Sequence, residues 1–123
     1  MRRALIVMAL APLLMAQGLP RPLCGFGEGL SHLRAVERDA AQPVSGVAEG
    51  RARSERMLAS LTRAFSTFRD CGCPRLAELA AEAATVAQSG PSEASVARLT
   101  QVFSQIRFRT QLAREQSERQ GCR

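Results

Sequence analysis

The sequence predicts an all-α protein, a small up-down-up bundle of three helices with a short N-terminal helical arm, stapled by disulfides. Three observations predict it. Apolar residues recur at three- and four-residue spacing in three successive segments. Short clusters of Gly, Pro and Ser separate those segments, and short connections favour antiparallel neighbours. Four cysteines occur in a chain whose first residues look like an export signal.

That signal is "MRRALIVMALAPLLMAQG". Arg2 and Arg3 precede an apolar run, Ala4 to Ala16, interrupted only by Pro12. The run is short for a bilayer span, which takes about 20 residues, and it ends in small residues that suit signal peptidase. Residues 1–18 are therefore expected to be a signal peptide, cut after Ala16 or Gly18. The protein is expected to be bacterial and exported, periplasmic or secreted, with no membrane span after cleavage. All 17 basic side chains are Arg, and Asn, Tyr and Trp are absent, a composition in keeping with a GC-rich genome. Losing Arg2 and Arg3 with the leader lowers the formal charge of +6 by two. A mild, dispersed surplus of this kind, with few aromatics, excludes a nucleic-acid footprint.

The remaining chain divides into an irregular lead-in, 19–30, and a single helical domain, 31–123. The lead-in, "LPRPLCGFGEGL", is dense in proline and glycine and has Cys24 as its one expected fixed point. A short helix over about 31–41 follows, capped by Ser31, with Leu33, Val36 and Ala40 near one face. Pro43, Gly46 and Gly50 then weaken any pattern, although Val44 and Val47 are placed to begin the next helix early. The strongest periodicity lies over 52–69, where Met57, Leu58, Leu61, Ala64, Phe65 and Phe68 share a face.

Cys71, Gly72 and Cys73 end that helix, and Pro74 suits the first turn of a new one over 74–88. Its apolar side comprises Leu76, Leu79, Ala80, Ala83, Val86 and Ala87. Ser89, Gly90 and Pro91 stop it. Ser92 is expected to cap a last helix over about 92–120, with Glu93 in its first turn and Val96, Leu99, Phe103, Ile106, Thr110 and Ala113 along a packing seam. "LASLTRAFSTFR" (58–69) aligns without gaps on "VARLTQVFSQIR" (96–107), with six of 12 positions identical. Ancestral duplication and convergence within an Ala- and Arg-rich alphabet both produce such a match.

Four cysteines allow three pairings. Joining Cys71 to Cys73 across Gly72 closes a small, strained ring. The other two pairings send Cys71 and Cys73 to Cys24 and Cys122, one each, and the sequence does not choose between them. A straight last helix starting at Ser92 would carry Cys122 about 15 to 20 Å beyond Cys71 and Cys73 at 1.5 Å per residue. That overshoot argues against bonding of Cys122, and leaves open a single Cys24 bridge with a free remainder beside the two cross-pairings. The sharper alternatives are a thiol-redox site at Cys71 and Cys73, with Arg69 and Arg75 favouring thiolate, and a metal site joined by His32, Cys24 or Cys122.

The expected site inventory is otherwise sparse: no catalytic residues, no cofactor and no metal ligands. Glu78 and Glu82 read as a solvated helical face. Arg107, Arg109, Arg114 and Arg119 make the last helix basic toward its C-terminus, where the helix dipole favours cations. Beside Phe108 and Leu112 they are also the candidate partner-facing residues, toward an unknown protein partner or an anionic surface. The expected role is that of a small non-enzymatic exported protein, structural or partner-binding. The alternative is a periplasmic thiol-redox or metal-sensing module using Cys71 and Cys73.

Overall fold

The computed structural model describes residues 24–122. The expected signal peptide and the first five residues of the lead-in, 19–23, lie outside them. The described chain forms four helices, α1 (Phe26–Ala41), α2 (Val47–Asp70), α3 (Pro74–Ala87) and α4 (Val96–Gln120), with a short 3-10 turn at Gly90–Ser92. Each helix packs against its neighbours in sequence, and α4 also packs against α1, so the four enclose one core.

The segment expected as a short arm is a helix of 16 residues and a full member of this bundle. It starts inside the glycine-rich stretch read as irregular. Gly25 adopts φ 83, a left-handed conformation that favours glycine, and stands at the N-cap. Gly29 lies within the helix because α1 presses on Phe68 there: a Cβ at Gly29 would come within 2.8 Å of Phe68 Cε1. The rings of Phe26 and Phe68 meet edge to face with centroids 5.7 Å apart. Leu33, Val36 and Ala40 are buried as their spacing requires.

α2 begins at Val47, earlier than the periodic stretch alone indicates, and Gly50 is again a point of contact. A Cβ on Gly50 would lie 2.7 Å from Leu99 Cδ1 of α4 and 3.0 Å from Val44 Cγ1. Met57, Leu61, Ala64 and Phe68 of α2, Leu76, Ala80 and Ala83 of α3, and Leu99, Phe103, Ile106 and Ala113 of α4 supply most of the core. The Ala-rich face of α3 keeps that layer thin. The two similar segments bury equivalent positions, Leu61 and Leu99, Ala64 and Val102, Phe68 and Ile106.

Two expectations about the last helix are corrected. Ser92 closes the 3-10 turn, and the N-cap is Ser95, whose hydroxyl accepts from Arg98 N at 3.2 Å. Val96 stands at the exposed first turn, outside the seam, with 39% of its surface accessible. The chain between α3 and α4 descends beside α2: Gly90 is seated against Ser54, and Glu93 and Ser95 are extended. α4 therefore starts level with the beginning of α2 and runs alongside its 24 residues, well past the 14 of α3.

Candidate functional site

The corner between α2 and α3 is built by "RDCGCP". The Cys73 amide donates to Phe68 O at 2.8 Å and the Gly72 amide to Arg69 O at 3.0 Å, with Gly72 at φ 75. This is a Schellman stop, in which a left-handed glycine lets two amides satisfy the last carbonyls of a helix. Pro74 then opens α3, where a missing amide hydrogen leaves nothing unsatisfied. The tight reversal points the two cysteines of the corner toward different helices.

Cys71 is bonded to Cys24, just ahead of α1, and Cys73 to Cys122, just beyond α4. The Cα–Cα separations are 5.1 and 4.6 Å, within the span a disulfide bridges. The anticipated overshoot of Cys122 does not occur. Because the descending connection sets Leu99 level with Gly50, the intervals from Gly50 to Cys73 and from Leu99 to Cys122 contain equal numbers of residues. The start of α1, the α2–α3 corner and the end of α4 are thus tied together at one pole.

No cysteine among the described residues is free, so the option of one bridge with free thiols is closed and the argument against bonding of Cys122 is corrected. Cys71 and Cys73 are 3% and 0% exposed. The two arginines expected to favour thiolate face carboxylates: Arg75 pairs with Glu78 at 2.7 Å, and Arg69 lies 3.7 Å from Asp70 with its guanidinium over Phe65. His32 sits on α1 with its Nε2 3.7 Å from Glu28, and no cluster of three or more His, Cys, Asp or Glu suited to a metal occurs among the described residues.

The basic end of α4 divides into two faces. Arg109 turns to α3 and pairs with Glu82 at 3.1 Å, while Arg119 pairs along its own helix with Glu115 at 3.3 Å. Glu78 and Glu82 are thus both matched by arginines on a solvated surface. Arg114 turns to α1, where Nε donates to Glu37 Oε2 at 2.8 Å and Nη2 to Oε1 at 3.3 Å, and Nη1 donates to Glu118 at 2.9 Å. The hydrogen bonds from Arg114 hold the Glu37 carboxyl below its usual range, against the opposing effect of burial, and the same bonds raise Arg114.

Arg107 lines the same side. Together with Arg34, Glu37, Arg38, Ala41 and Arg114 it borders an open groove of about 380 Å³ between α1 and α4. A second hollow of about 310 Å³ continues from Ala41 and Arg107 over Pro43, Val44, Thr100 and Phe103. Phe108, 61% exposed, stands on the outer ridge of α4.

A second arginine feature is missed by the sequence reading, although Arg53 stands four residues before Met57 on the same helical stripe. Arg53 is only 7% exposed within α2. Its Nη1 donates to Asp39 O at 3.2 Å and Gln42 O at 2.8 Å, its Nη2 to Pro43 O at 3.0 Å, and its Nε to Glu49 at 2.7 Å. The guanidinium lies over the Phe103 ring, 5.0 Å from its centre. Arg51 donates to Glu93 O at 2.7 Å. These two side chains hold the connections at the pole opposite the disulfides. No protein-family model matches the chain, and neither a curated protein nor a solved structure was found to be similar to it.

Proposed function

We propose that this is a small, exported, non-enzymatic helical protein with a structural or partner-binding role, its bundle stapled by Cys24–Cys71 and Cys73–Cys122. The observation that carries this reading is the consumption of all four cysteines in two bridges that meet at one corner. A thiol-exchange centre needs a sulfur that is accessible to attack and a thiolate that is stabilised when released. Here Cys71 and Cys73 are buried, their partners Cys24 and Cys122 are half-buried, and the arginines beside the corner are directed to carboxylates. The bridged cysteines and the leader-like 1–18 together support an oxidising compartment. The same bridges make a small domain robust without a large core. Partner binding falls to the α1–α4 side, where arginines border a groove with a partly apolar floor.

Thiol titration in denaturant, with and without reductant, tests the reading. The expected result is no free thiol before reduction, four after it, and no exchange with glutathione in the folded protein. Two free thiols that bind zinc or copper stoichiometrically, or rapid exchange at Cys71 and Cys73, would instead establish the thiol-redox or metal-sensing alternative.

A further inference from the structure

We propose that the α1–α4 groove is a docking site for an acidic, partly apolar peptide segment of a partner protein. The proposal deepens the partner-binding reading above and rests on it. Its first support is charge. Four arginines and one carboxylate line the main groove, and that carboxylate, Glu37, is already bonded to Arg114. Among the described residues no carboxylate lies within ion-pair distance of Arg34, Arg38 or Arg107. All three are exposed. Every other arginine of α4 has a carboxylate partner, so the unpaired charge of that helix lies at this seam, where it meets that of α1. Arg51, Arg56 and Arg63 of α2 are likewise without a carboxylate in ion-pair distance among the described residues.

Shape is the second support. The two hollows share Ala41 and Arg107 and form one trough lined on α4 from Thr100 to Arg114, about 21 Å at the helical rise per residue. That length accommodates about six residues of extended chain. A lone small anion would use a fraction of it. The floor is the third support: Ala41, Pro43 and Val44 offer apolar contact in the second hollow, which Arg107 borders, while the other arginines rim the first. An occupant with carboxylates at the rims and apolar side chains toward the floor satisfies both, as an arginine fork does most fully with a carboxylate.

The arrangement does not suit a bilayer. Membrane-surface helices present apolar residues on one side, with cations at its margin. The exposed Phe108 and Leu112 instead lie outside the lining of both hollows, while the cations border a concavity.

Fluorescence anisotropy with the oxidised full chain tests the site. The probe is a fluorescein-labelled peptide of alternating Glu and Leu, about eight residues long, and the control is the Gln-Leu counterpart. The expected result is saturable binding of the Glu-Leu peptide only, weakened by salt. Arg38→Gln/Arg107→Gln is expected to weaken it about tenfold, while Arg56→Gln/Arg63→Gln, which removes equal charge from α2, leaves it within about twofold. Thermal melts of both variants verify folding. Absence of binding, equal loss in both variants, or equal binding of the Gln-Leu peptide would overturn the proposal. So would groove-dependent binding to phosphatidylglycerol vesicles without binding to the peptide, which would assign the groove to a lipid surface. Failure here with intact disulfides leaves the non-enzymatic reading in place, whereas thiol exchange would remove that reading whatever the peptide does.

Discussion

At one end of the bundle two disulfides tie the start of α1 and the end of α4 to the α2–α3 corner; at the other, Arg53 and Arg51 hold the connections through hydrogen bonds to backbone carbonyls. The two poles solve the same problem, that of fixing chain reversals over a thin, Ala-rich core, by acting on different states. A disulfide raises stability chiefly by restricting the unfolded chain. The arginines act in the folded state alone, where they add donors to carbonyls at helix ends and turns. Strengthening the first leaves the native surface unchanged, whereas weakening the second exposes buried polar groups.

The largest effect that would break this contrast comes from the disulfide pole. Each bridge closes a loop with a sequence separation of 47 or 49 residues. The chain-entropy relation assigns a loop of that size about 4 kcal/mol. Cys73→Ala/Cys122→Ala is therefore expected to lower the unfolding free energy by about 4 kcal/mol in urea titrations, a large share of the total for a domain of this size. Far-UV circular dichroism of the folded fraction should keep its helical signal. A loss below about 1 kcal/mol would mean that packing at this pole suffices without covalent closure.

Next in size is the opposite pole. Arg53→Ala leaves the Asp39, Gln42 and Pro43 carbonyls short of a donor and uncovers the face of Phe103. The expected loss is about 3 kcal/mol, the scale for removing one partner from a buried charged network. Arg53→Lys sharpens the result. A lysine keeps the charge near Glu49 but cannot reproduce a planar fork that serves several acceptors, so it should recover less than half of the loss. Full recovery by lysine would show that charge alone holds the corner.

The contrast also explains what the amino-acid pattern discloses. Apolar periodicity is local and survives in the structure: Leu33, Leu61, Leu76, Leu99 and Ile106 are buried where helical spacing places them. Pro74 and Gly72 announce the α2–α3 corner through backbone preferences that hold anywhere. Gly29 and Gly50 mislead, because the same residue marks a breaker or a point of closest approach, and here they are pressed on by Phe68 and Leu99. Gly90 is both, standing past the end of α3 as expected and seated against Ser54. The pairing of Cys122 was obscured for a related reason. It depends on a descending 3-10 and extended connection that sets the start of α4, which no helical repeat encodes. Arg53 falls on the buried stripe of α2, four residues before Met57 and eight before Leu61, so its spacing turns it inward. The carbonyls it meets and the groove, however, need α1 beside α2 and α4, neighbourhoods that no local pattern gives.

The smallest effect concerns the seam between the poles, where Arg114 of α4 meets Glu37 of α1. Hydrogen bonds from Arg114 hold the Glu37 carboxyl below its ordinary 4.5. A carboxyl depressed by folding contributes stability that is fully present above the unfolded value and is lost as pH falls through the folded one. Glu37→Gln should therefore lower stability by about 1 kcal/mol at neutral pH, the scale of a partly screened ion pair. The gap between variant and wild type should narrow as the pH is taken below 4.5 in urea titrations. Glu118→Gln, which removes the more exposed of the two partners of Arg114, should change stability less at every pH. If wild type and Glu37→Gln keep a constant gap across the acid limb, the ion pair contributes nothing that titrates, and the seam is held by packing and by its covalent and hydrogen-bonded ends.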